Sequence, residues 1–204
     1  VQARLAKADL LDSFHGRQIG AEFWMNNQTL NYYRRHLLLH EAVHCYMRHL
    51  PGEAGFPMWY LEGMAEMIAT HHRGIDEPET ASPATVPPPE FTFNVMPTDR
   101  MRFRGLERII ILQRDVKKNG VRSIAQIRAM TGDDFRNSVE PYAWCWALCR
   151  FLDSHPTTRT RFRKLAAEFV STPPDEAIRT FFGEAGRNLE TEWALFAANI
   201  EHGY

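Results

Sequence analysis

The stretch Leu37-Leu38-Leu39-His40-Glu41-Ala42-Val43-His44 (LLLHEAVH) places two imidazoles and a carboxylate in the middle of an apolar run. It lies within 29–50, a span without Gly or Pro that stops at Pro51-Gly52 and carries Leu39, Val43, Tyr46, Met47 and Leu50 at helical spacing. The spacing predicts a helix, and because its centre is apolar on nearly every side, that helix belongs in the protein interior. Residues four apart on a helix stack roughly 6 Å along its axis, so His40 and His44 present their rings to one point in space. A metal bond compensates for burying imidazoles, and Zn²⁺ takes nitrogen ligands readily. Glu41 sits about 100° round from His40, placed to touch a water on such a metal but not to ligate it. This is the HExxH arrangement, with the carboxylate as general base. His36 extends the stripe to three histidines, but two turns of helix, about 12 Å, separate it from His44. It is therefore expected to pack or to support the site, and not to share a metal.

Nine histidines make a chance HExxH match common enough that a third ligand is required. The block Trp59-Tyr60-Leu61-Glu62-Gly63-Met64-Ala65-Glu66 offers two carboxylates one turn apart. Between His44 and Glu62 lie 17 residues (45–61), enough for a helix end, a turn and a returning antiparallel helix. After the loop PGEAGF, Pro57 suits the first turn of that second helix, expected over 57–72. Such a pair brings a carboxylate, from Glu62 or Glu66, up to the open side of the two histidines.

His40-Glu41-x-x-His44 followed by Trp59-x-x-Glu62-Gly63-x-Ala65-Glu66 resembles the gluzincin metallopeptidases, the thermolysin and aminopeptidase group, and most closely the bacterial peptidase-MA-like domains. The likeness is firm from Arg35 to about Ile68 and loose elsewhere. It implies hydrolysis of peptide or related amide bonds, with Zn²⁺ held by His40, His44 and Glu62, Glu41 as catalytic base, and Glu66 holding the first histidine. The rival assignment exchanges the two acids and puts Glu66 on the metal. Relatives supply an oxyanion donor, a Tyr or His, from a later helix. Here Tyr142 opens YAWCWALCRFL, which looks like the Tyr-x-x-x-Trp-Ala-Leu-x-x-Phe-Leu helix of the peptidase-MA-like domains. The face formed by Tyr142, Cys145, Trp146 and Cys149 reads equally as core packing, and His155 in DSHPTT is a second candidate. Family members bind extended substrate along an edge strand ahead of the HExxH helix. In this chain GAEFWMNN holds that place, giving Ala21, Glu22 and Phe23 as candidate substrate contacts. The aminopeptidase Gly-x-Met-Glu-Asn block is not present, so the likeness does not carry exopeptidase action with it. The implied fold is α+β and predominantly helical, a zincin-like fold with a small N-terminal sheet and an HExxH active-site helix. An exported location, periplasmic, secreted or surface-anchored, is favoured by the same resemblance. A catalytically silent zinc-binding scaffold on this fold is the alternative function.

A chain of 204 residues, 44% hydrophobic and 12% aromatic, is sized for one globular domain over 1–204. Along it, 1–27 reads as an N-terminal helix and edge-strand region, with a helix in VQARLAKADLLDSF. The zinc-binding helix pair spans 28–72, a Pro-rich loop 73–100, and a helical C-terminal region 101–204. FTFNV (91–95) alternates like a strand, and helices are expected over 104–118, 122–130, 139–153, 156–171 and 188–202. His71 and His72 read as a surface pair, and RTRFRK (159–164) as a solvated helix face. Twenty-four basic and 25 acidic side chains give a net charge of −1, too balanced for a nucleic-acid or anionic-membrane partner. The expected partner is a peptide or protein substrate, while oligomeric state is not encoded. No apolar run approaches the roughly 20 residues of a membrane span, and the stretch that opens at Val1 is not expected to be a charged and apolar leader. Three cysteines without a CxxC make neither a disulfide scaffold nor a cysteine zinc site, and are expected as small buried side chains, with a bridge from Cys45 left open.

Overall fold

A computed structural model of the protein describes residues 16–19, 22–50, 55–73, 91–93, 108–185 and 188–201. Strands β1 (Gly16–Ile19) and β2 (Glu22–Met25) form an antiparallel pair with Gly16 opposite Met25 and Ile19 opposite Glu22. Both pack on helix α1 (Asn31–His49), beside which lies α2 (Met58–Ala69). A second antiparallel pair joins β3 (His71–Arg73) to β4 (Phe91–Phe93). Then come α3 (Arg108–Asn119), α4 (Ile124–Arg128), α5 (Gly132–Asn137), α6 (Glu140–Ser154), α7 (Arg159–Phe162), α8 (Leu165–Ser171), α9 (Pro174–Glu184) and α10 (Leu189–Asn199). The described chain is thus predominantly helical, and none of its helices is long and apolar enough to cross a membrane.

The ends of the two motif helices follow from local chemistry. α1 stops where Leu50 turns extended (φ −68, ψ 130), the backbone that a following proline imposes. α2 begins directly after Pro57, which is itself extended and stands outside the helix. It ends at Ala69 and does not run to 72: Thr70 turns extended (φ −71, ψ 116) while its N–H and its hydroxyl both donate to the Glu66 carbonyl, at 3.0 and 2.8 Å. The chain then enters β3, so His71 is no surface residue. It is 1% exposed, stacks on Tyr32 at 4.5 Å, donates from Nδ1 to the Ala69 carbonyl (2.8 Å) and accepts from Arg35 Nε (3.2 Å).

The centre of the molecule is α6. Every residue from Ala143 to Cys149 is fully buried, and the helix packs against both α2 and α3. Trp59, Trp144, Trp146 and Trp193 fill the surrounding core. Two of these indoles have their N–H satisfied, Trp144 by Asp115 (2.7 Å) and Trp193 by the Arg122 carbonyl (2.8 Å). All three cysteines are free, Cys145 and Cys149 buried and Cys45 partly so; no bridge from Cys45 forms.

Other boundaries depart from the periodicity. The stretch 122–130 is helical only from Ile124 to Arg128, started by a capping box in which Ser123 and Gln126 exchange side chain and backbone bonds. The segment expected over 156–171 is two helices, α7 and α8, and its Arg161 and Arg163 do face outward, onto Glu184 and Asp153. Helices α5 and α9 stand where none was expected; α9 opens on Pro174 with Asp175 and Glu176 in its first turn, a strong start signal after a proline pair. The N-terminal helix proposed in VQARLAKADLLDSF and most of the Pro-rich 73–100 lie outside the described residues.

Candidate metal centre and active site

On α1, one turn apart, His40 and His44 bring their Nε2 atoms to 2.9 Å from each other, with the rings nearly perpendicular (85°). Glu62 on α2 places Oε2 3.4 Å from both nitrogens. Donors of a four-coordinate zinc with bonds of ~2.0–2.1 Å sit roughly 3.3 Å apart, so this triangle fits such an ion to within a few tenths of an ångström. The donor set, two imidazoles and a carboxylate, is one that zinc takes. Glu62 Oε2 is also buried, facing the two ring nitrogens at 3.4 Å, a costly state for a carboxylate unless positive charge lies between them.

The protonation of the group expresses the same demand. Burial pulls the His40 imidazolium down, but the carboxylates of Glu62 and Glu66 outweigh it and raise its pKa to about 10. Burial pushes Glu62 up, yet bonding to His40 and His44 wins and lowers it to about 2. Positive charge is wanted between these side chains, as a proton or as a dication.

Behind the pair sits a second layer. Glu66 is buried, its Oε1 lies 3.2 Å from His40 Nδ1, and its Oε2 lies 3.3 Å from His36 Nε2. Arg108, the first residue of α3, grips the same carboxylate with two bonds of 2.8 Å. Burial raises the Glu66 pKa, but Arg108 first and His36 next hold it well below the usual carboxylate range. Glu62 therefore meets the near nitrogens of the histidine pair and Glu66 the far nitrogen of His40. His36, His40 and Glu66 also offer three donors within 4.8 Å of one another, a group whose charge Arg108 already balances. Nothing in the sequence pointed to Arg108, which is 42 residues from Glu66 along the chain.

A cleft of about 220 Å³ borders this centre, lined by His40, Glu41, His44, Glu62, Tyr142 and Arg48 among others. Glu41 is buried, and burial raises its pKa against the lowering influence of His40 and His44. Tyr142, at the start of α6, has its ring 6.2 Å from that of His40 and packs edge-on to Phe135 at 4.9 Å. Burial, then Glu62 and Glu66, push its phenol up, so the hydroxyl remains a proton donor at neutral pH. Arg48, one turn beyond His44, completes an H-x₃-H-x₃-R stripe legible in the sequence but not singled out from it.

Several candidates stand elsewhere. His155 is at the opposite end of α6 from Tyr142, where it meets Glu192 at 3.1 Å and Thr157 at 2.9 Å. Of the proposed substrate contacts, Ala21 lies outside the described residues, while Glu22 is exposed and Phe23 partly buried on β2, and neither lines the cleft.

The glycine beside Glu62 has a packing cause. A Cβ on Gly63 would meet Cys149 Sγ at 2.5 Å and the Cys145 carbonyl oxygen at 2.6 Å, so only glycine allows α2 this close to α6. Gly63→Ala is expected to cost about 1–3 kcal/mol, near the upper end because one neighbour is backbone. The change would also move Glu62 relative to His40 and His44, so any ion held by the three should bind more weakly; thermal denaturation with and without zinc measures both effects.

No protein-family model, no curated protein and no solved structure matches the chain. A functional reading rests on the chemistry of these residues and on the motif resemblance.

Proposed function

We propose that the protein is a zinc-dependent peptidase of gluzincin type, a zincin-like domain that hydrolyses peptide or related amide bonds. The observation that carries this reading is the convergence of His40 Nε2, His44 Nε2 and Glu62 Oε2 beside a cleft that Glu41 and Tyr142 also line. When bound by His40, His44 and Glu62, zinc would supply a Lewis-acidic position that activates a water and polarises the scissile carbonyl.

The chain's own groups supply the proton chemistry. Glu41 accepts the proton of the attacking water and delivers it to the leaving amine; its raised pKa suits both transfers better than an ordinary carboxylate would. Tyr142, protonated and facing the same cleft, donates its O–H to the negative charge that develops on the carbonyl oxygen. Glu66 Oε1 faces His40 Nδ1 at 3.2 Å, so its carboxylate favours a proton on that nitrogen and leaves the other nitrogen of the ring toward His44 and Glu62.

Incubation of the purified chain with a peptide library, before and after removal of zinc by a chelator, tests the proposal. Cleavage that is lost on chelation and restored by one equivalent of zinc supports it; stoichiometric zinc without cleavage points to the silent scaffold. Tyr142→Phe is expected to lower kcat about 10²-fold with KM little changed. An unaltered kcat removes Tyr142 from the reaction.

A further inference from the structure

Among the described residues of the buried cluster, Arg108 and His36 are the two that the proposed reaction does not use, and Arg108 is the one that carries a fixed charge. Its guanidinium fork takes both oxygens of Glu66 at 2.8 Å, and each oxygen then faces one ring nitrogen, Oε1 toward His40 and Oε2 toward His36. The same guanidinium lies over the Tyr142 ring, 5.4 Å from its centroid. A single cation thus braces the acid behind one proposed zinc ligand and the ring of the proposed oxyanion donor, whose own ring is 6.2 Å from that of His40. The residue is 8% exposed and begins α3, which packs on α6, so the brace is anchored in the core and not in a loop.

We infer that Arg108 is a positioning residue that aims His40 at the metal through Glu66 and holds the Tyr142 ring in place. This rests on the zinc reading of His40, His44 and Glu62. Two physical features carry it. The carboxylate of Glu66 is buried with two imidazoles, a set of donors close enough together to attract a cation of its own. A bidentate guanidinium satisfies both oxygens at fixed angles, which a proton or a loosely held ion does not, and so keeps Glu66 facing His40 Nδ1 instead of acting as a competing ligand. The cation over the Tyr142 face adds an attraction that depends on the same charge.

Zinc affinity by competition with a chromophoric chelator, and the visible bands of the cobalt-substituted protein, test this in Arg108→Met, Arg108→Lys, Glu66→Gln and the Glu66→Gln/Arg108→Met double variant. Arg108→Met is expected to weaken zinc about 10–100-fold, the range for loss of a group that orients a ligand, and to shift the cobalt bands; Arg108→Lys, which keeps charge but not the fork, should fall between. Because Arg108 acts through Glu66, the double variant should bind zinc no more weakly than Glu66→Gln alone. That comparison stands even if Arg108→Met does not fold, since the double variant carries no unpaired buried charge. Wild-type affinity and bands in Arg108→Met, or losses that multiply in the double variant, overturn the inference. Absence of zinc from the wild-type protein would instead defeat the metal site itself.

Discussion

On the proposed zinc reading, Glu41→Gln should bind one equivalent of zinc and lose on the order of 10²–10⁴-fold in kcat, the contribution typical of a positioned general base. The substitution keeps shape and hydrogen bonding and removes only the ability to take a proton. Metal binding survives because Glu41 is not among the converging donors, which are His40, His44 and Glu62. Stability should hold or rise slightly, since the variant exchanges a buried, desolvated carboxylate for a neutral amide. Single-turnover hydrolysis at saturating substrate, paired with metal analysis, gives the answer; substantial turnover by a zinc-loaded Glu41→Gln protein would mean that another group activates water.

His44→Ala should uncouple stability from zinc. A ligand that binds only the folded chain stabilises it by RT ln(1 + [L]/Kd), about 4 kcal/mol at a thousandfold excess over Kd. For a chain of this size that corresponds to roughly 8–16 °C in Tm. The native protein should show such a rise on zinc addition, and the variant, with one of three donors gone, should show little of it. The zinc-free proteins should differ less, since the lost ring's Nε2 had only the neighbouring His40 nitrogen (2.9 Å) and Glu62 (3.4 Å) for partners. An equal zinc-induced shift in His44→Ala would place the ion elsewhere.

How much of this was legible in the sequence varies with the range of the interactions. The helix holding His40, Glu41 and His44 could be read because an unbroken run free of Gly and Pro is a local property, and the i, i+4 spacing fixes the ring geometry by itself. The approach of Glu62 was readable as a consequence of two helices joined by a short loop. Which of Glu62 and Glu66 meets the near nitrogens was not readable from spacing alone, because both lie on one helix a turn apart. In the structure Arg108 and His36 occupy Glu66. Arg108 reaches Glu66 only through tertiary packing, and no local pattern marks it. His71 misled for a related reason: adjacent histidines after a helix look solvated, but the chain becomes a strand at that point and turns His71 inward against Tyr32. The glycine at 63 was visible as part of a motif; its cause, the contact with Cys145 and Cys149 on α6, lies far along the chain.

The most direct test is a crystal structure of the zinc-loaded protein with anomalous data at the zinc edge. The expected result is one ion bonded to His40 Nε2, His44 Nε2 and a Glu62 oxygen at ~2.0–2.2 Å, with an open position toward Glu41 and with Glu66 still on Arg108. An ion ligated by Glu66 in place of Glu62, or none at the histidine pair while zinc binds at another place, would contradict the account.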